Sequence, residues 1–330
     1  MKSLPGLIEL LTRDDKQQAV EHEEKAKQTP WLRAGNSGVV LDNGTIGIQC
    51  PRKALLRKLA IELPVPLDRR PMFDHGIAME DVIKAKLIRQ LGDTCEITGD
   101  DVNATEWANY FGTKVTGSPD LLIKSKHTGE LLAGIELKTC CSVWTAKSVM
   151  LDGEPKLSHV AQAGHYLWQT GLETYQLLYV QSVEYAAPFT MTKGKALDDY
   201  AEHNHPKAHQ IGYRSGKPFK ILPGRICYEL KFDNQGVLCY REAAVRGATW
   251  TKTIITAEAI QDFYNYVDDQ EQERKLAARP MTLKHDGSAG TFNMCDPKYC
   301  ELAGICDTYE RYFDKWVAEV QAYADNNKEV

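Results

Sequence analysis

Hydrophobic and polar positions follow two periods along this chain, and their borders outline its elements. From Val115 to Lys138 the period is two. Leu121-Leu122-Ile123 is apolar, Lys126 to Glu130 is polar around Thr128-Gly129, and alternation resumes at Leu131. This predicts a β-hairpin whose first strand opens just after Pro119, where a missing N–H costs least. In its second strand Ile135 and Leu137 face one side, and Glu136 and Lys138 the other. Tyr175 to Val183 predicts a further strand. Ile226 to Lys231 and Val237 to Arg241 predict a second hairpin, closed by Asp233-Asn234-Gln235-Gly236.

Elsewhere the period is helical. Gly76 to Gln90 carries Ile77, Val82, Ile83 and Leu87, continues to Leu91 and stops at Gly92. Pro51 suits the first turn of a helix whose Leu55, Leu56 and Leu59 form an apolar stripe. Ser158 reads as the N-cap of a short helix ended by Gly171, and Gln162 and Tyr166 share one of its faces. Ala257 to Leu276 and Asp307 to Ala324 read as longer amphipathic helices, the second with Tyr312, Phe313, Trp316, Val317 and Val320 turned inward. Leu4 to Leu11 and Asp14 to Lys27 read as helical, Trp31 to Gly44 as loop, and Leu63 to Pro71 as a linker. Residues 190–220 are polar, and His203-x-His205 within them lacks a third ligand. Strand, strand, helix, strand around residues 115–183 predicts an α/β fold, a mixed sheet with helices on its faces.

The chain has 330 residues and a net charge of −5. That excludes a protein that grips nucleic acid by bulk charge, so contacts to phosphate must come from local basic patches. One such patch is Arg52, Lys53, Arg57 and Lys58, on the helix after Cys50. No run of 18 apolar residues occurs and the N-terminus turns polar early, so we expect no membrane span, no signal peptide and a cytoplasmic location. The expected divisions are an N-terminal extension over residues 1–45, a main domain over 46–310, and a C-terminal helix with a short tail over 307–330.

Candidate chemistry gathers at two places. Asp120 can lie across from Glu136, which brings two carboxylates and the Lys138 ammonium to one patch. Close carboxylates repel unless a cation lies between them, and hard oxygens select Mg²⁺ or Mn²⁺. Such an ion lowers the pKa of bound water and orients phosphate, while an adjacent lysine can act on the water. Glu80 could add a third carboxylate; its bland alternative is a solvent-facing side chain.

The second place is Cys295, Cys300 and Cys306, three of nine cysteines, set among proline and glycine. That composition suits a loop around a metal, either zinc or an iron–sulfur cluster. Both want four ligands, and Cys50 is the expected fourth. Zinc remains the alternative, although Cys₄ zinc sites usually pair two C-x₂-C halves. Cys140 and Cys141 read as core or sheet-edge residues.

Pro119-Asp120, Glu136-x-Lys138 and Gln162-x-x-x-Tyr166 together resemble the RecB-type branch of the PD-(D/E)XK nucleases. Gly76-x-x-x-Glu80 is similar to that family's first motif, and His75 is the alternative reading of it. The one-plus-three cysteines resemble the iron–sulfur branch, which includes CRISPR-associated RecB-like exonucleases, the AddB nuclease domain and phage-encoded relatives. The resemblance covers roughly residues 48–310. The last cysteines depart from the usual C-x₂-C-x₅-C, since the first gap here is four.

The resemblance implies a restriction-endonuclease-like sheet with an iron–sulfur staple joining N- and C-terminal segments. It implies divalent ions on Glu80, Asp120, Glu136 and the Leu137 carbonyl. Lys138 would act on the attacking water, Gln162 and Tyr166 would position DNA or the lysine, and a 4Fe-4S cluster would sit on Cys50, Cys295, Cys300 and Cys306. The activity implied is a metal-dependent DNA nuclease, an exonuclease on DNA with a free end, and a homo-oligomer is open. Two other classes remain: a non-catalytic DNA-binding or assembly component of a recombination or CRISPR-adaptation complex, and a structural Cys₄ zinc protein.

Overall fold

The computed structural model describes residues 32–61, 63, 70–99, 115–140, 145, 148–149, 153–181, 211–214, 217–220, 225–290, 295, 300–309 and 311–326. The expected helices before Trp31, the histidines of residues 190–210, Cys141 and the end of the Tyr175 strand lie outside the described residues.

Short pieces open the fold. They are β1 (Leu32–Arg33), a 3-10 turn (Ala34–Asn36) and β2 (Val39–Val40), where a loop was expected, and β3 (Ile46–Gly47) just after it. Then follow α1 (Pro51–Lys58), α2 (Arg70–Leu91), β4 (Cys95–Thr98) and β5 (Val115–Thr116). The central hairpin is β6 (Leu121–Ser125) and β7 (Leu131–Cys140), followed by α3 (Leu157–Thr170) and β8 (Tyr175–Gln181). After these come β9 (Ile211–Arg214), β10 (Lys217–Lys220), β11 (Arg225–Phe232), β12 (Val237–Glu242) and β13 (Thr251–Thr256). The last helices are α4 (Ala257–Gln272), α5 (Ala303–Thr308) and α6 (Phe313–Asn326).

The main sheet has seven strands in the order β13-β12-β11-β8-β7-β6-β4. It is mostly antiparallel. Its parallel pair is β7 with β8, in the register Glu136↔Leu177 and Lys138↔Tyr179. Parallel neighbours need a crossover, and α3 supplies it. The mixed sheet flanked by helices is thus the architecture.

Each face of the sheet has its own core. On one side Tyr166, Tyr175, Tyr179 and Tyr228 pack with Leu55, Phe263 and Trp316, joining α3, α4, α1 and α6 to the sheet. On the other, Ile83 of α2 packs on Leu121, Leu137 and Val180. Leu137 belongs to the second core, so its neighbours Glu136 and Lys138 point into the first face, toward α3.

Local chemistry explains most boundaries. Pro51 sits at N1 of α1. Thr256 caps α4, its hydroxyl accepting from Ala259 N–H at 2.9 Å. Gly171 ends α3 in the left-handed region, φ 65°. Ser158 is not the cap of α3: the helix starts one residue earlier, after Lys156, whose N–H donates to the Tyr179 hydroxyl at 3.1 Å. The helix read over 307–324 is two, α5 and α6, and Tyr312 between them is 58% exposed rather than turned inward. Helix α2 begins six residues before Gly76, and its Ile77 and Val82 face solvent.

Candidate active site

The register Leu121↔Ile135 runs on to bring Asp120 level with Glu136. The contact is made one residue further along, where Leu137 N–H donates to Asp120 Oδ2 at 2.6 Å. Glu136 is 0% exposed. Its Oε1 accepts from Lys138 Nζ at 2.5 Å, and its Oε2 is buried with no hydrogen-bond partner among the described residues. Burial first, then the nearby charges of Asp120 and Glu80, push the Glu136 carboxyl up to about 8 against the pull of Lys138. Burial works against the Lys138 ammonium, yet attraction from Glu136, Asp120 and Glu80 wins and holds its pKa above the usual lysine value. Three carboxylates and one ammonium therefore share one electrostatic field.

Helix α2 brings Glu80 into that field. A Cβ added at Gly76 would meet Thr139 Oγ1 at 3.6 Å, so the Gly76 side of the helix faces β7. Glu80 lies one turn on, on the same side; His75, about 140° around the helix from Glu80, is exposed. Gly76 and Glu80 form the pair that faces the hairpin.

Over the same patch, Gln162 and Tyr166 of α3 share a side-chain hydrogen bond. Burial, then Glu136, hold the Tyr166 hydroxyl well above its usual pKa. Tyr166 also packs on the turn that leads to Asp120. A Cβ at Gly117 would sit 2.8 Å from Tyr166 Cε1 and 2.8 Å from Ala34 Cβ, so only a hydrogen fits there.

Residues not singled out from sequence also reach the patch. His159 precedes Gln162 by three on α3, and its Nδ1 lies 3.0 Å from the Tyr179 hydroxyl. Burial, then Lys138 and Lys156, hold its pKa well below the usual histidine value. The spacing His159, Gln162, Tyr166 (i, i+3, i+7) was the available signal. Arg33 of β1, placed by the pairing of β1 with β5, lies within electrostatic range of Tyr166, and nothing local in the sequence marks it.

The four cysteines also meet. Cys50, Cys295, Cys300 and Cys306 line one cavity of about 180 Å³ together with Arg52, Lys53 and Arg279. Cys50 arrives there from a tight turn: Gln49 N–H donates to Gly47 O at 2.9 Å, and Ile48 between them takes φ 72°, a conformation branched side chains rarely adopt. Burial pushes the Cys50 thiol up to about 11, with Cys295 and Cys300 adding to the shift. Burial, then Cys300 and Cys306, raise Cys295 while Arg279 and Arg52 oppose them. Trp316 Nε1–H points at Cys306 Sγ, 3.4 Å away. Arg52, Lys53 and Arg279 thus place positive charge around the thiols of this cavity. Cys140 is buried on β7, apart from this cavity.

The basic stripe of α1 is corrected. Arg52 is 3% and Arg57 5% exposed. Arg52 Nε donates to Ala277 O at 2.7 Å, tying α1 to the segment after α4. Lys53 pairs with Glu301 at 2.8 Å and Lys58 with Glu271 at 2.6 Å. Arg52, Lys53 and Lys58 thus tie α1 to its neighbours, and the stripe is not an open phosphate-binding face.

Among the described residues, no group of three or more His, Cys, Asp or Glu side chains is spaced to hold a single metal ion, and no helix is long and apolar enough to cross a membrane. No family model matches the chain, and no curated protein matches it. Among solved structures, the crystal structure of SSO0001 aligns over 54% of this chain and 74% of that one, at 20% identity and a TM-score of 0.30, a likeness too slight to support a functional reading.

Proposed function

We propose that this chain is a divalent-metal-dependent DNA nuclease, an exonuclease of the RecB-like PD-(D/E)XK type. The observation that carries the reading is Glu136: a fully buried carboxylate with one oxygen on Lys138, the other without a partner among the described residues, and Asp120 and Glu80 in its field. A carboxylate buried in that way is costly in a bare chain, and a cation would offset the cost.

Glu80, Asp120, Glu136 and the Leu137 carbonyl are the hard oxygen donors that would hold Mg²⁺ or Mn²⁺; in the metal-free chain the three carboxylates share one field without converging on a point, so binding would draw them together. When bound, the ion supplies charge neutralisation and a water of lowered pKa. Lys138, kept as an ammonium by its carboxylate neighbours, donates to the water or to a phosphate oxygen. Gln162 and Tyr166, joined to each other, orient the substrate backbone above the sheet. The cysteine cavity fits a 4Fe-4S cluster on Cys50, Cys295, Cys300 and Cys306, each ligand serving its own iron, so the sulfurs need not converge on a point. Such a cluster would supply a staple between α1 and the C-terminal segment.

The test is cleavage of end-labelled single- and double-stranded DNA with Mg²⁺ or Mn²⁺. Metal-dependent shortening that disappears in Asp120→Ala supports the reading, and cleavage that persists in that variant overturns the site.

A further inference from the structure

We propose that His159 is a substrate-binding residue of this site, a neutral imidazole whose Nε2–H donates to a non-bridging phosphate oxygen; this rests on the nuclease reading above. The inference starts from Tyr179. Its register partner on β7 is Lys138, and both side chains rise on the α3 face of the sheet. The Tyr179 ring is 0% exposed. Its oxygen accepts from Lys156 N–H at 3.1 Å. Its own proton then needs an acceptor, and the one within reach among the described residues is His159 Nδ1, at 3.0 Å. A tyrosine hydroxyl has one proton to give. If it goes to Nδ1, that nitrogen is bare, and the ring proton of a neutral histidine must sit on Nε2.

The ring orientation agrees. Imidazole and phenol centroids are 5.6 Å apart, so Tyr179 holds the ring as well as its nitrogen. His159 shares a helix face with Gln162 and Tyr166, one turn nearer the start of α3. The charges that act on it are those of Lys138 and Lys156. These two ammonium groups disfavour an imidazolium, so the site keeps a neutral donor beside them. Lys138 thus feels the carboxylates Glu136, Asp120 and Glu80 and itself acts on His159. A phosphodiester bound at Lys138 would turn its anionic oxygens away from the carboxylates and toward an N–H donor. A neutral N–H donor keeps its proton throughout, and no bond to it is made or broken.

The test uses the full chain with its histidines labelled with ¹⁵N, and the substrate is a short DNA duplex with Ca²⁺ for binding or Mg²⁺ for cleavage. At pH 7 we expect the His159 Nδ1 resonance of a bare nitrogen and the Nε2 resonance of a protonated one, with Nε2–H moving when DNA is added. Tyr179→Phe should mix the two tautomers. His159→Phe should lower kcat/KM on the order of a hundredfold to a thousandfold, the scale for one donor to a developing oxyanion, while His159→Gln, which keeps an N–H near the same place, retains most of it. Melting of both variants at pH 7 separates a folding defect from a lost contact, and if His159→Phe fails to fold, the resonances and His159→Gln decide. A protonated Nδ1 or an imidazolium at pH 7, or wild-type kinetics in a folded His159→Phe, would overturn the proposal. Wild-type cleavage with an unaffected His159→Phe sinks this inference alone. A wild type that neither binds nor cuts DNA sinks the nuclease reading with it.

Discussion

The backbone N–H of Leu137 donates to Oδ2 of Asp120 at 2.6 Å. Asp120 therefore has two tasks, holding β7 against the start of β6 and placing negative charge beside Glu136. The two separate by substitution. Asp120→Ala loses both, and should destabilise the metal-free chain by about 1–3 kcal/mol, the range for a charge-assisted bond to a part-buried amide. Asp120→Asn keeps an acceptor and should cost less than about 1 kcal/mol, yet be as inactive. Urea denaturation in EDTA, run beside the cleavage assay, checks both.

Glu136→Gln should stabilise the chain. The folded carboxyl is raised to about 8 from an ordinary 4.5, because burial and its acidic neighbours disfavour the charge. Its contribution to stability is thus fully present below pH 4.5 and is lost as pH rises through about 8. Wild type and Glu136→Gln should melt alike at pH 4.5, and the variant should be more stable at pH 9 by roughly 1–3 kcal/mol, the scale of an uncompensated buried charge. Melting in EDTA across that pH range is the measurement; equal stability at pH 9 would count against a burdened Glu136.

Gly117→Ala places a methyl carbon 2.8 Å from Tyr166 Cε1 and 2.8 Å from Ala34 Cβ. Three elements meet there: the 3-10 turn, the turn into Asp120, and α3. The clash should cost about 1–3 kcal/mol and should also lower cleavage, because relief must move either Tyr166 or Asp120. An active variant with wild-type melting would show that this junction gives easily.

Iron content tests the cysteine cavity. Chain purified without oxygen should carry iron and absorb broadly in the visible. Cys50→Ser and Cys300→Ser should each lose iron and lower the melting temperature, since both line the cavity. Cys140→Ser, on β7 outside that lining, should retain the wild-type iron content. Zinc in place of iron, held by the same four residues, would make the staple a Cys₄ zinc site.

The hairpin is legible in sequence because its alternation and turn are local: Leu121 to Cys140 differs from expectation by two residues at one end. The approach of Asp120 to Glu136 follows from the same register. Helix starts are less legible. Ser158 looks like a cap, but the N–H of Lys156 already has the Tyr179 hydroxyl, brought in from β8. The α1 basic stripe misleads for a similar reason. Arginines at helical spacing look solvated, whereas Arg52 is buried by carbonyls from residues 277 and 306. His159 carries a local signal in its spacing, but the Tyr179 contact that gives it meaning is long-range. Arg33 depends on β1 finding β5, a pairing of two residues each that no periodicity announces.

The most direct measurement of the central claim compares wild type with Lys138→Ala, using single-turnover cleavage of end-labelled DNA and Mn²⁺ binding followed by electron paramagnetic resonance. Lys138 contacts Glu136 and lies outside the proposed ligand set, so the expected result is Mn²⁺ bound by both proteins and cleavage by the wild type only. Cleavage by Lys138→Ala at the wild-type rate, or a wild type that binds Mn²⁺ and cuts no DNA, would contradict a nuclease site built on Asp120, Glu136 and Lys138.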